Sequence, residues 1–199
     1  MRALIMAGGA GSRLRLGEKP LLSIKNRPMI SYVIDAFSQS GCEVVVAVSP
    51  RTPMTQNWCR TNEIDLFRAS GVDFIEDMKE AVSALDETQP LFVSVSDIPC
   101  INAGVLVPIL EAYNKSGMDA CSVWVPVDLV HSCRGGVTFR QNVHNIDACP
   151  AGVNIVNGNH ISVQQDELQL VIPDPRLAIN VNTRTDRDAA ERFLQQHPA

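Results

Sequence analysis

The segment IMAGGAGSRLRLGEKPLL, residues 5–22, constrains this chain more than any other. A short apolar run with the character of a strand end breaks straight into Gly8, Gly9 and Gly11, and a loop carrying Arg13 and Lys19 follows. Glycines in such a place let successive backbone N–H groups close on an anion that a Cβ would hold off. A guanidinium can grip phosphate oxygens with two parallel hydrogen bonds, while an ammonium acts on them as a point charge. Gly8, Gly9, Gly11, Arg13 and Lys19 therefore read as a triphosphate cradle at the end of a first strand. Two other phosphate loops are excluded. No GxxxxGK followed by Ser or Thr exists, and Gly9-x-Gly11 is followed by Leu14 where a dinucleotide fingerprint needs its third glycine.

A strand of this kind needs parallel neighbours, and the apolar runs supply them. ALIMA (3–7), VVVAV (44–48), LFVSV (91–95), ACSVWV (120–125) and GVNIV (152–156) recur with amphipathic stretches between them. This is the rhythm of an α/β chain with a Rossmann-like, mostly parallel sheet flanked by helices. Met29, Ile30, Val33, Ile34 and Phe37 keep helical spacing, as do Phe74, Ile75, Met78, Ala81, Val82 and Leu85. A third helix is expected after Asn102 as N-cap, with Pro108 in its first turns or kinking it, and a last one from near Thr185 to Gln196. The stretch Val127–Cys149, with Gly135, Gly136 and the alternating VTFR, reads as a hairpin or loop insertion of the kind that shapes an acceptor pocket. Residues 1–199 are expected to form one domain.

Charge and cysteine usage narrow the function classes. A formal net charge of −5 disfavours nucleic acid and anionic membrane surfaces as partners, so any phosphate site must be local. No apolar run approaches the ~20 residues of a membrane helix, and a cytoplasmic location is expected. The six cysteines include no CxxC pair and read as small buried apolar residues in a reducing compartment. His131, Cys133 and Cys149 lack a zinc spacing.

Two further segments carry polar groups at strand ends. In SVSDIPCI, residues 94–101, an apolar strand ends at Asp97. Ligands of open α/β sheets bind beyond the carboxyl ends of the strands, so this carboxylate belongs in the crevice of the glycine loop. Alone it reads as a helix cap; beside a triphosphate it reads as an oxygen ligand for Mg²⁺. In INVNTRTDRDAA, residues 179–190, Asn182 is placed to add a second metal oxygen, while Thr183, Thr185 and Asp186 are candidates to cap the last helix.

Together LxAGGxGxR…KPL, a strand ending in Ser-Asp and a late NxNT resemble the nucleotidyltransferases with a GT-A-like Rossmann core, which include sugar-phosphate nucleotidyltransferases and molybdenum-cofactor guanylyltransferases. VSPRTPMT (48–55), SGVDFIEDMKEAV (70–82), PAGVNIV (150–156) and NVNT (180–183) are most similar to the archaeal type of GTP:adenosylcobinamide-phosphate guanylyltransferase. The resemblance implies GTP as donor, adenosylcobinamide phosphate as acceptor and Mg²⁺ as cofactor. It implies that Ala7, Gly8, Gly9, Gly11, Arg13 and Lys19 hold the triphosphate, that Arg13, Lys19 and Asp97 serve catalysis, and that Asp97 with Asn182 holds the metal. Gly152 would lie near the acceptor or triphosphate, and Ser49, Gly71 and Glu76 would belong to the guanine pocket. A different phosphate acceptor, or a binding module without turnover, stays open. Trp124, Val125, Val127 and Val130 are either core or the wall of a large acceptor pocket.

Overall fold

A computed structural model of the chain describes residues 1–9, 17–133, 137 and 139–197. Strand β1 (Arg2–Met6) runs into the glycine loop. Beyond it a small hairpin, β2 (Ser23–Ile24) and β3 (Arg27–Pro28), leads to helix α1 (Met29–Gln39). Strand β4 (Glu43–Val48), helix α2 (Pro53–Thr61), strand β5 (Leu66–Arg68) and helix α3 (Phe74–Ala84) follow. Strand β6 (Pro90–Val95) and helix α4 (Ala103–Ser116) lead to strand β7 (Ala120–Pro126) and helix α5 (Val127–Ser132). The remainder comprises β8 (Gln141–Val143), β9 (Ile146–Asn157), β10 (Glu167–Val171), α6 (Pro175–Ala178) and α7 (Arg184–Gln196).

The main sheet has the order β10-β7-β9-β6-β1-β4-β5, with β8 paired to β9. All its long pairings are parallel except those of β9, which runs antiparallel to both β6 and β7. Met6 lies beside Ala47 of β4 on one side and Val95 of β6 on the other, so three strands finish level. The chain leaves β1 toward β4 and later crosses to β6 on the opposite side. That reversal opens a crevice beyond the carboxyl ends of β1, β4 and β6.

Burial explains why β1 is a nearly continuous apolar run. Ala3, Ile5 and Ala7 face a core that includes Ile30, Val33 and Phe37 of α1, where Phe37 meets Phe92 with ring centroids 5.3 Å apart. Leu4 and Met6 face the other layer, with Ala81 and Val82 of α3. A strand covered on both faces has no solvent side to mark with polar residues. Trp124, Val125, Val127 and Val130 are all buried, Trp124 donating its indole N–H to Ser122 Oγ at 2.9 Å.

The C-terminal half departs from expectation in its details. Val127–Ser132 is helical, and the hairpin is built from β8 and β9, with Val137, Phe139 and Arg140, the described residues of VTFR, outside any strand. Its two-residue turn puts His144 and Asn145 at φ 51° and 67°, a left-handed pair that matches strand twist, and Asn tolerates that region well. Gly135 and Gly136 lie outside the described residues. Helix α7 starts at Arg184 with Thr183 as N-cap, its hydroxyl accepting from Asp186 N at 3.2 Å while Asp186 returns a carboxylate to Thr183 N at 2.7 Å. Asn102 does precede α4, yet its side chain accepts from Arg176 instead of capping the helix, and Pro108 sits within it.

Candidate nucleotide-binding and transfer site

The crevice has a volume of about 370 Å³, and Gly8, Gly9, Lys19, Asp77, Asp97 and Asn182 are among its lining residues. Ala7 N–H donates to Ala47 O at 2.8 Å, the last rung that ties β1 to β4 before the glycine loop begins. Buried Ser49, at the end of β4, donates its hydroxyl to the Gly8 carbonyl at 2.7 Å and accepts from Arg51 N at 3.1 Å. A Cβ at Gly8 would stand 3.1 Å from that of Ser49, a tight contact that the glycine avoids. A Cβ at Gly9 would meet nothing within 4 Å among the described residues. Gly11 and Arg13 lie outside the described residues.

Lys19 is held at the far end of the loop by two local devices. Pro20 sets a short 3-10 turn over Lys19–Leu21. Glu18 accepts from Met54 N and Thr55 N at 2.7 and 2.6 Å and from the Thr55 hydroxyl at 2.7 Å, satisfying the open N–H groups at the start of α2. Glu18 was not singled out in the sequence, although an acidic residue beside KP, facing a later TPMT, carries the signal of a long-range cap. So fixed, the Lys19 ammonium spans Asp97 and Asn182, bonded to a carboxylate oxygen of the first and to Oδ1 of the second, the latter at 2.8 Å.

Asn182 is oriented by its neighbours. Its amide NH₂ donates to Asn180 Oδ1 at 2.9 Å, its backbone N–H donates to Asp186 at 2.9 Å, and Val181 N–H donates to the Asp97 carbonyl at 2.8 Å. Its oxygen is thereby left to face the crevice. Asp97 Oδ1 is buried and has no hydrogen-bond partner among the described residues. Two hard oxygens that converge on a cation, one beside a buried oxygen without a donor, suit a divalent metal shared with phosphate oxygens. No group of three or more His, Cys, Asp or Glu among the described residues is placed to hold a metal ion, so the remaining ligands would have to come from substrate and water.

The other sequence candidates fall in three places. Gly71, at φ 83°, packs against Ser49 and Pro50, and its carbonyl accepts from Arg51. Glu76 sits on α3 with its side chain 54% exposed, paired with Lys79 at 2.9 Å, outside the crevice lining. One helical step, ~100°, turns the next residue the other way. Asp77 is buried and lines the crevice, and the sequence reading missed it because a carboxylate beside Glu76 carries no distinct signal. Gly152, at φ 79°, lies against Val95, where a Cβ would come 2.5 Å from a methyl group. It lines a second cleft of about 230 Å³, walled in part by Val130, Phe139, Cys149 and Pro150, which shares Val95 and Asn182 with the first.

Residues 3–192 match the family of MobA-like NTP transferase domains. The chain is similar to the adenosylcobinamide-phosphate guanylyltransferase of Methanocaldococcus jannaschii, at 28% identity over 98% of each chain. It is also similar to the mannose-1-phosphate guanyltransferase of Pichia angusta, at 31% identity over 73% of this chain and 43% of that one. A hypothetical transferase from Thermus thermophilus superposes with a TM-score of 0.72 at 15% identity, covering 94% of this chain and 100% of that one. A CMP:2-keto-3-deoxy-manno-octonic acid synthetase complexed with CTP gives a TM-score of 0.68 at 12% identity, covering 98% and 99%. At such identities these two likenesses concern the fold, a mostly parallel sheet flanked by helices.

Proposed function

The chain belongs to the family of MobA-like NTP transferase domains, and on that premise we propose that it transfers GMP from GTP to adenosylcobinamide phosphate. The products are adenosylcobinamide-GDP and pyrophosphate. The observation that carries this reading is the end-to-end similarity to an adenosylcobinamide-phosphate guanylyltransferase, which covers 98% of both chains. By contrast, this chain spans less than half of the mannose-1-phosphate relative.

The chemistry is a displacement at the α-phosphorus. A phosphate oxygen of the acceptor forms the new P–O bond as the bond to the β-phosphate's bridging oxygen breaks, and the electron pair leaves with pyrophosphate. The acceptor phosphate is already ionised near neutral pH, so no general base is needed. What the protein must do is hold two anions together: at 4 Å each unit-charge pair repels by about 4 kcal/mol at an effective dielectric near 20. Gly8 and Gly9 leave room for the phosphates, Lys19 supplies a positive charge, and Asp97 with Asn182 would hold Mg²⁺. Held there, the metal would supply positive charge to offset that of the phosphates. Arg13 would add a two-pronged grip.

The cleft beside the crevice, walled in part by Val130, Phe139 and Pro150, supports an acceptor that extends past the phosphates, since it meets the first at Val95 and Asn182, where the acceptor phosphate would have to lie. Similarity to mannose-1-phosphate guanyltransferases favours a sugar phosphate as the second reading, and molybdopterin is a third acceptor of the same kind. Six free thiols fit a reducing, cytoplasmic compartment, and no helix among the described residues is long and apolar enough to cross a membrane. Pyrophosphate release measured across four NTPs against adenosylcobinamide phosphate, mannose 1-phosphate and molybdopterin tests the reading. Release that needs GTP and the corrinoid together is expected, and release with a sugar phosphate alone would replace it with the second reading.

A further inference from the structure

We propose that Asp77 is the residue that selects guanine, by accepting hydrogen bonds from the N1–H and N2 amino edge of the base. This rests on the reading that GTP is the donor. Asp77 is 7% exposed, and its carboxylate is split between two tasks. Oδ1 accepts from Gly71 N at 2.8 Å and from Val72 N at 3.1 Å, which locks the side chain in one orientation. Oδ2 accepts no hydrogen bond from any described residue, and it lies 3.5 Å from where a Cβ on Gly8 would stand. A nearly buried carboxylate oxygen therefore stands beside Gly8 at the wall of the crevice, and no cation pairs with it among the described residues.

Position along the crevice says which part of the nucleotide it meets. Lys19, Asp97 and Asn182 mark the phosphate end, beyond β6. Asp77 lies on the opposite flank, with Ser49 beyond β4 and Gly71 beyond β5. Two to three strand spacings, roughly 10 to 15 Å, separate the two flanks, a span suited to a nucleoside laid across Gly8 and Gly9 with its base at Asp77. An ionised carboxylate only accepts hydrogen bonds. Guanine offers two adjacent donors on its N1–N2 edge. Adenine and cytosine turn a ring-nitrogen lone pair to the same place, and uracil flanks its single N–H with two carbonyl oxygens, so each would leave the carboxylate unpaired or repelled.

The test compares Asp77→Asn with the wild type by calorimetric titration of GTP, ITP, XTP, ATP and tripolyphosphate. In D77N the two backbone donors hold the amide oxygen in place, which forces the NH₂ into the position of Oδ2 and turns an acceptor into a donor. GTP affinity is expected to fall by roughly 10- to 100-fold, the size of one hydrogen bond to a charged group. XTP, whose O2 accepts, is expected to overtake GTP, and tripolyphosphate is expected to bind unchanged. A D77N protein that keeps the wild-type ratio of GTP to ATP affinity would overturn the assignment and leave Asp77 a clamp on the 71–72 loop. Wild type that binds ATP or CTP as tightly as GTP would instead overturn the GTP reading itself. Should D77N not fold, wild type alone still decides: weaker binding of ITP and of N1-methyl-GTP than of GTP is expected, and equal binding of all three would overturn the edge contact.

Discussion

Lys19 bonds to the two side chains that would hold a metal, so its ammonium takes the place of a cation between Asp97 and Asn182. A triphosphate offers that ammonium a better partner and at the same time brings oxygens that complete a metal's coordination. Two outcomes follow for Lys19→Met. Turnover should fall by at least ~10², the scale set by removing one group that stabilises transition-state charge, with an unchanged melting temperature. Mn²⁺, followed by calorimetry or electron spin resonance without nucleotide, should bind the variant more tightly than the wild type, because the competing cation is gone. Weaker Mn²⁺ binding would show that Lys19 assembles the metal site instead of filling it. Asp97→Asn should lose most metal-dependent turnover, and an unaltered Mg²⁺ titration would leave Asp97 without a metal role.

At the scale of elements, the loops that carry the site are shaped by a few tight joints. Gly152 combines a left-handed φ with a Cβ position 2.5 Å from a Val95 methyl, so β9 can sit against the end of β6 only with glycine there. Gly152→Ala should cost about 1 to 3 kcal/mol, read as a lower urea midpoint, and unchanged stability would show that Val95 simply moves aside. Thr183→Ala removes the hydroxyl half of the α7 capping box and should cost about 1 kcal/mol. The long, doubly covered strands β1, β4 and β6 were legible because burial on both faces leaves an unbroken apolar run. Strands β5 and β10 were not: three residues in one and a partly buried edge in the other leave too little pattern to read. Helix α2 is mostly polar and starts on a cap supplied by Glu18, far away in sequence, which no local window contains. VTFR alternates as a strand does, yet pairing was decided by the left-handed turn at His144 and Asn145, further along the chain.

Over the whole molecule, the cysteines report how tightly the core is sealed. Burial pushes the thiol of Cys100 up to about 12 and those of Cys59 and Cys121 up to about 11, from an ordinary 9.0. These raised values favour the protonated fold, so the unfolded chain releases its thiol protons first. Stability from this source is full below about pH 9 and is lost as pH rises from there toward 12. The urea midpoint should therefore decline steadily above about pH 9, less so in Cys100→Ala, and a flat profile would mean that water reaches the thiols. The convergence of Gly8, Gly9, Lys19 and Asp97 on one crevice was legible because glycines, KP and a strand-end Asp form a pattern local in sequence. On the opposite flank the resemblance already pointed to Ser49 and Gly71, but Asp77 was not legible, since it meets them only once β4, β5 and α3 are packed. The central claim, guanylyl transfer to a corrinoid phosphate, is tested most directly by incubating the protein with GTP, Mg²⁺ and adenosylcobinamide phosphate and weighing the corrinoid by mass spectrometry. The account predicts adenosylcobinamide-GDP with one pyrophosphate released per product, and an unmodified corrinoid beside active turnover of mannose 1-phosphate or molybdopterin would contradict it.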